Sequence, residues 1–182
     1  MDALIIYDSL SGNTEKVAQQ IYETSAQLVP SQIVKVNKDT DIDLLDHDLV
    51  FIGSGVIDWL PTKTLTEFVQ RTMKTANKQG RIKPAAPIIP GKFAICFATF
   101  GGPHIGVGEA VPMTLWLRSA LAHLGFIVLD EWHVPGQFAN RPPEFNQKGR
   151  LGNIEGRPDA HDLQDIGNRT RGILASLSAY RE

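Results

Sequence analysis

Apolar residues fall along the chain in five short, dense runs, separated by stretches in which they recur every three or four positions. Residues 3–7, Ala-Leu-Ile-Ile-Tyr, are too few for a helix and rich in Ile, which predicts a buried strand. After Gly12, the spacing of Val17, Ala18, Ile21, Ser25 and Leu28 predicts one helix face, capped by Asn13 or a nearby hydroxyl and ended by Pro30. Residues 32–36 alternate as a half-buried second strand, and 49–52 form a third, apolar on both faces and closed by Gly53-Ser54-Gly55. Leu65, Phe68, Val69, Thr72, Met73 and Ala76 mark a second helix with Gly80 as its stop. Pro84, Pro87 and Pro90 make the next connection a surface loop. Residues 93–98 are the fourth strand, broken by the glycines of 101–108, and a helix follows over 109–124 with Pro112 in its first turn. Gly125 ends it and 126–129 begin a fifth strand. A last helix starts near Asp159, with Asp162 completing a capping box and Leu163, Ile166, Ile173, Leu174 and Leu177 on its buried face.

Short apolar strands alternating with helices predict an α/β fold. It has three layers, doubly wound around a five-stranded parallel sheet in the order 2-1-3-4-5. A chain of 182 residues reads as a single domain over 1–182 with room for a sizeable core. One stretch, residues 135–158, has no periodicity and exceeds ordinary loop length, which points to a function or an interface.

Composition narrows the function. A net charge of −2 argues against nucleic-acid binding and a polybasic membrane contact. No run resembles a signal peptide or a membrane span, so no membrane insertion and a cytoplasmic location are expected. The single Cys96 excludes a disulfide framework, and its apolar strand makes it a small buried hydrophobe rather than a nucleophile. The five His residues include no i, i+4 pair, so no metal site is expected.

The glycines carry more information than their number. Gly12, Gly53, Gly55, Gly101, Gly102, Gly106 and Gly108 fall in breaks after the first, third and fourth strands. In the expected strand order these three strands are neighbours, and ligands of open parallel sheets bind beyond such ends. The first break reads Asp8-Ser9-Leu10-Ser11-Gly12-Asn13-Thr14, directly before a helix. Hydroxyls of Ser9, Ser11 and Thr14, with the amides of a turn at a helix N-terminus, suit a phosphate without any Lys or Arg. A nucleotide-hydrolysing loop would need Gly-Lys-Ser or Gly-Lys-Thr, and a dinucleotide fold three spaced glycines; neither is present.

Ser-Leu-Ser-Gly-Asn-Thr resembles the Ser/Thr-x-Ser/Thr-Gly-x-Thr phosphate loop of flavodoxins, and the resemblance extends from residue 2 to the last helix. It implies non-covalent FMN. Ser9, Leu10, Ser11, Gly12, Asn13 and Thr14 would hold the phosphate. The ring would lie between Gly55, Val56, Ile57, Asp58 and Trp59 on one side and Thr99, Phe100, Gly101, Gly102 and His104 on the other. Trp59 is expected to lie against the ring and mobile Gly53 and Gly55 to turn a carbonyl toward it; His104 reads either as a loop residue with no such role or as a group that offsets the charge of a reduced flavin. The third loop lacks the Tyr that many flavodoxins stack there, and Phe100 is expected to point into the core.

Two further patterns remain. The acids of residues 39–48 read as a solvated helix face or a docking patch for a basic partner. Trp132 or His133 is a candidate for the edge of the site, with core packing an equal reading for Trp132; Arg141, Lys148, Arg150 and Arg157 read as a mildly positive rim or as a solubilising loop. The resulting expectation is an FMN-dependent carrier moving electrons between redox partner proteins, with no side chain in acid/base catalysis. The alternative is an NAD(P)H-dependent FMN oxidoreductase of quinones or similar acceptors. A scaffold with an empty crevice is the third reading.

Overall fold

The computed structural model describes residues 1–181. Five parallel strands, β1 (Ala3–Asp8), β2 (Ser31–Lys35), β3 (Leu49–Gly55), β4 (Phe93–Phe100) and β5 (Ile127–Pro135), form one sheet in the order β2-β1-β3-β4-β5, as the pattern predicts. Every residue of β1 and β4 is buried, because helices cover both faces of the sheet. On one face α1 (Asn13–Ser25) and α5 (Ala160–Arg181) press Val17, Ile21, Ile166 and Leu174 onto Ile5, Phe51, Phe97 and Trp132. On the other, α2 (Lys63–Lys78) and α3 (Val111–His123) bring Leu65, Phe68, Met113 and Leu117 against Leu4, Ile6, Ile52 and Cys96. Burial drives the Cys96 thiol well above its ordinary pKa, so it stays a neutral packing group.

The helix ends follow local chemistry. Thr62 caps α2, Pro112 sits in the first turn of α3, and Gly80 takes a left-handed turn beyond α2. At the start of α5, Asp159 Oδ1 accepts from the amides of His161 and Asp162, while Asp162 Oδ2 accepts from that of Asp159, which is the expected capping box. Helix α1 ends at Ser25, earlier than predicted; Leu28 lies in the turn beyond it and is mostly exposed.

Three readings need correction. First, Gly53 and Gly55 are not in a mobile loop. They extend β3 and pair with Phe97 and Thr99 of β4. A Cβ on Gly53 would lie 2.2 Å from the Phe97 carbonyl oxygen, so this glycine is required for close approach of two strands. Second, residues 39–48 are not a helix face. They form a loop with one short 3₁₀ turn, Leu44–Asp46, and much of their charge is already paired. Asp43 meets Arg81 at 2.6 Å, and Asp48 faces Lys92 and the N-terminal amine. Third, β5 carries a bulge. Ala94 pairs with Val128 but Ile95 with Asp130, so Leu129 is skipped and all later side chains change face. Trp132 thereby enters the core at 5.7 Å from Phe51, its Nε1 donating to Asp130. Glu131 and His133 turn toward α3, where they meet Arg118 and Thr114 respectively.

Two outcomes follow from this packing. Gly53→Ala is expected to cost about 3 kcal/mol, near the upper end for core overpacking, measured by urea unfolding; an unchanged midpoint would mean β3 and β4 can separate freely. Burial holds His133 below its ordinary pKa of 6.5, against the raising charges of Glu131 and Asp130. The unfolded chain therefore takes up this proton first, and stability is lost as pH falls through 6.5 toward the lower folded value. His133→Gln is expected to flatten thermal stability against pH in that window.

Candidate functional site

The C-terminal ends of β1, β3 and β4 lie side by side, so the loops that leave them share one edge of the sheet. In the first, Gly12 stands at φ +88° in the position before α1, with no side chain capping the helix. The amides of its first turn have no partner within the helix, which leaves a concentration of N–H donors for an anion. Ser9 Oγ accepts from the Gly12 amide at 3.1 Å and keeps its own proton to donate. Asn13 does not cap; it is the first helical residue, and its Nδ2 donates to the Gln137 carbonyl at 2.8 Å. Thr14 is buried, its hydroxyl 2.7 Å from that of Thr99 on β4. Ser11 and Leu10 are exposed. At the base of the loop one Asp8 oxygen accepts from the Ser9 amide and the other, Oδ2, is buried without a hydrogen-bond partner among the described residues.

In the second loop, Ile57 and Leu60 exchange both backbone hydrogen bonds at 2.9 Å, so Asp58 and Trp59 form a two-residue turn. Both sit at positive φ, +48° and +65°, a conformation costly for a bulky residue. It holds Trp59 at the tip, half exposed. Behind it, Ser54 Oγ accepts from the Thr62 amide and donates to the Gly55 carbonyl, so that carbonyl is held rather than free to turn.

The third loop is tied down by Glu109, whose Oε1 accepts from the amides of His104 and Ile105 at 2.9 and 3.0 Å. Gly102 is folded against the Gly106 carbonyl. The His104 ring packs edge-on against Phe145, 6.0 Å between centroids.

Between the second and third loops lies a cavity of about 590 Å³ with mainly apolar walls. Of the residues expected to face a ring, Val56, Ile57, Asp58, Trp59, Phe100, Gly101 and His104 line it. Phe100 does so while also packing into the core, as expected. Thr99 and Gly55 lie behind it, beside Thr14. Trp132, His133, Lys148, Arg150 and Arg157 are not in its wall; Arg157 instead pairs with Asp162. The sequence reading did not assign Phe138, Asn140 and Phe145 to the site, yet these residues of the irregular stretch 136–158 line it together with Arg141. Their only sequence signal was aromatic residues in a segment with no periodicity. Among the described residues no group of His, Cys, Asp and Glu could hold a metal ion, and no helix is long and apolar enough to cross a membrane.

The donor set and the cavity fit a phosphate joined to a flat apolar ring: an uncapped helix start with hydroxyls lies on the same edge as a slot with aromatic walls and a size usual for cofactor sites. A flavodoxin domain model matches residues 4–79, from β1 through α2. The flavodoxin-like domain-containing protein BilS of Clostridioides difficile (strain CD3) is 38% identical over 56 residues, 31% of this chain; the match spans about a third, 32%, of that protein's length. Among solved structures, a flavodoxin from the domain Archaea superposes with a TM-score of 0.66 at 18% identity, over 98% of this chain and 99% of that one. Oxidised Flavodoxin 2 from Bacillus cereus gives 0.64 at 18% identity, over 97% and 99%. These structures share the fold.

If the first loop holds a phosphate, substitutions at the two buried threonines separate that binding from packing. Thr14→Val is expected to weaken FMN binding by about 1 to 2 kcal/mol, through one lost charge-assisted hydrogen bond, and also to lower the stability of the free protein. Thr99→Val is expected to lower that stability alike and leave FMN affinity nearly unchanged. Flavin fluorescence titration and thermal melts of both variants check this; equal losses of affinity would place the phosphate elsewhere.

Proposed function

We propose that this chain, a flavodoxin-family protein by its fold and its N-terminal match, binds FMN and passes electrons between redox partner proteins. The observation that carries the reading is the pairing of an uncapped helix N-terminus, in a loop that carries the hydroxyls of Ser9, Ser11 and Thr14, with an aromatic-walled cavity on the same sheet edge. When bound, the flavin supplies the electron chemistry, and the protein supplies binding, orientation and electrostatics. The first-turn amides of α1 and the loop hydroxyls would hold the phosphate with no Lys or Arg. Trp59, Ile57 and Phe138 would exclude water from the ring, which disfavours added negative charge there.

A carrier is supported by what surrounds the cavity. Of the eleven large hydrophobic side chains exposed among the described residues, six stand on the three loops: Leu10, Ile57, Trp59, Leu60, Ile105 and Val107. Exposed apolar side chains gathered at one place mark a surface for another protein. Within the acids of 39–48, Asp43 and Asp48 serve that role poorly, because both already face cations and Asp48 directly precedes β3, at the end of the sheet opposite the three loops. The reductase reading draws on Arg141, which lines the cavity and, among the described residues, makes no ion pair, so it is free to receive an anionic donor or acceptor.

Purified protein mixed with FMN is expected to take up about one equivalent and quench its fluorescence. Under anaerobic conditions NADH or NADPH alone is expected to bleach it slowly, and rapidly only after a separate flavodoxin reductase is added. Fast bleaching by either nicotinamide alone would replace the carrier with the reductase. Failure to bind any flavin would end both readings.

A further inference from the structure

The irregular stretch after β5 is the least regular part of the chain and among its most thoroughly hydrogen-bonded. Its Gly136 amide donates to the Phe100 carbonyl and its Gln137 amide to that of Arg157. Asn146, buried in the short helix α4 (Glu144–Gln147), clasps Phe138 from both sides: its Oδ1 accepts from the Phe138 amide at 2.8 Å and its Nδ2 donates to the Phe138 carbonyl at 3.1 Å. The Arg150 amide donates to the Pro103 carbonyl of the third loop, and the Gly156 amide to the Gln137 side chain. A segment that merely connected β5 to α5 would not need a buried amide side chain devoted to one aromatic residue.

That residue is placed against the third loop. A Cβ on Gly101 would lie 2.2 Å from the Phe138 ring, so the ring rests directly on the Gly101 backbone. Phe145 meets Phe138 edge-on at 6.3 Å and His104 at 6.0 Å, and Arg141 lies over the Phe145 ring at 6.0 Å. Phe138, Phe145 and Arg141 all line the cavity that Trp59 also lines. The same segment reaches the other half of the site, where Gln137 O accepts from Asn13 at the first turn of α1.

We propose that residues 136–157 are a strap that completes the flavin site, with Phe138 and Phe145 as an aromatic wall in place of the stacking Tyr that the third loop lacks. Asn146 is the positioning residue that holds this wall, and the contact between Asn13 and Gln137 ties it to the phosphate loop. This rests on the reading of the site as an FMN site. It accounts for the missing third-loop Tyr: the aromatic surface comes from a segment distant in sequence, and glycine at 101 is what lets Phe138 approach closely enough to supply it. The strap also brings in Arg141, among the described residues the one Arg or Lys in the cavity wall.

The test uses the full chain and FMN. Phe138→Ala is expected to weaken FMN binding roughly ten- to a hundredfold, as loss of one aromatic wall implies, with Phe138→Tyr restoring most of it. Asn146→Ala, which removes no wall atom, is expected to give a similar loss of affinity together with weaker quenching of the flavin fluorescence, which a purely structural role would not produce once circular dichroism confirms the fold. In the unsubstituted protein, FMN is expected to slow hydrogen exchange of the amides in 137–150. This last measurement stands even where a variant fails to fold. Exchange there unaffected by bound FMN, or full affinity in Phe138→Ala, would overturn the strap. If Thr14→Val still weakens binding in that case, the flavin reading survives without it; if the unsubstituted protein takes up no FMN, the flavin reading itself has failed.

Discussion

The constraint behind this molecule is that its central strands are covered on both faces. The backbone of β1, β3 and β4 is buried up to the strand ends, so its amides and carbonyls must be paired within the ladder, and side chains on both faces must be apolar until the last positions, where Asp8, Ser54 and Thr99 stand. Polar chemistry is pushed to the ends of the strands, where the ladder stops. Because the strands are parallel and in register, they stop together, and three loops and one uncapped helix N-terminus emerge at the same edge. The site is a consequence of the sheet.

The loops at that edge are held more firmly than loops usually are. Glu109 spends a carboxylate on two amides of the third loop, Ser54 ties the second loop to the start of α2, and Thr14 reaches across to Thr99. The strain stored at Asp58 and Trp59 is tolerated because Ile57 and Leu60 close the turn with two hydrogen bonds. Such an edge can meet a flat ligand without first ordering itself, which removes part of the entropic cost of binding.

Much of the fold was legible in the residues. The alternation of strands and helices, the stop at Gly80, Pro112 in the first turn of α3 and the cap at Asp159 follow from periodicity and local chemistry, which act over a few positions. The donor-rich first loop was legible for the same reason, since Ser9 to Thr14 are contiguous and lead directly into the first turn of α1. What misled the reading were places where a short-range pattern has two structural outcomes. Glycine reads as flexible whether it serves a loop or, as at Gly53, lets two strands approach. A run of acids reads as exposed whether it faces solvent or, as at Asp43 and Asp48, cations from distant parts of the chain.

The sequence by itself thus determined which segments become strands and helices, where the strands end, and which loop offers donors to an anion, because each depends on neighbours within about two helical turns. Tertiary structure alone decided the other half of the site. The one-residue bulge at Leu129 sends Trp132 into the core and His133 away from the edge, and no local pattern marks it. Phe138, Arg141 and Phe145 reach the cavity only because hydrogen bonds from Asn13, Asn146 and Arg150 fold an aperiodic segment back over the third loop. Contacts between residues so far apart in the chain leave no periodic trace, since periodicity records which side of an element is buried and not what covers it.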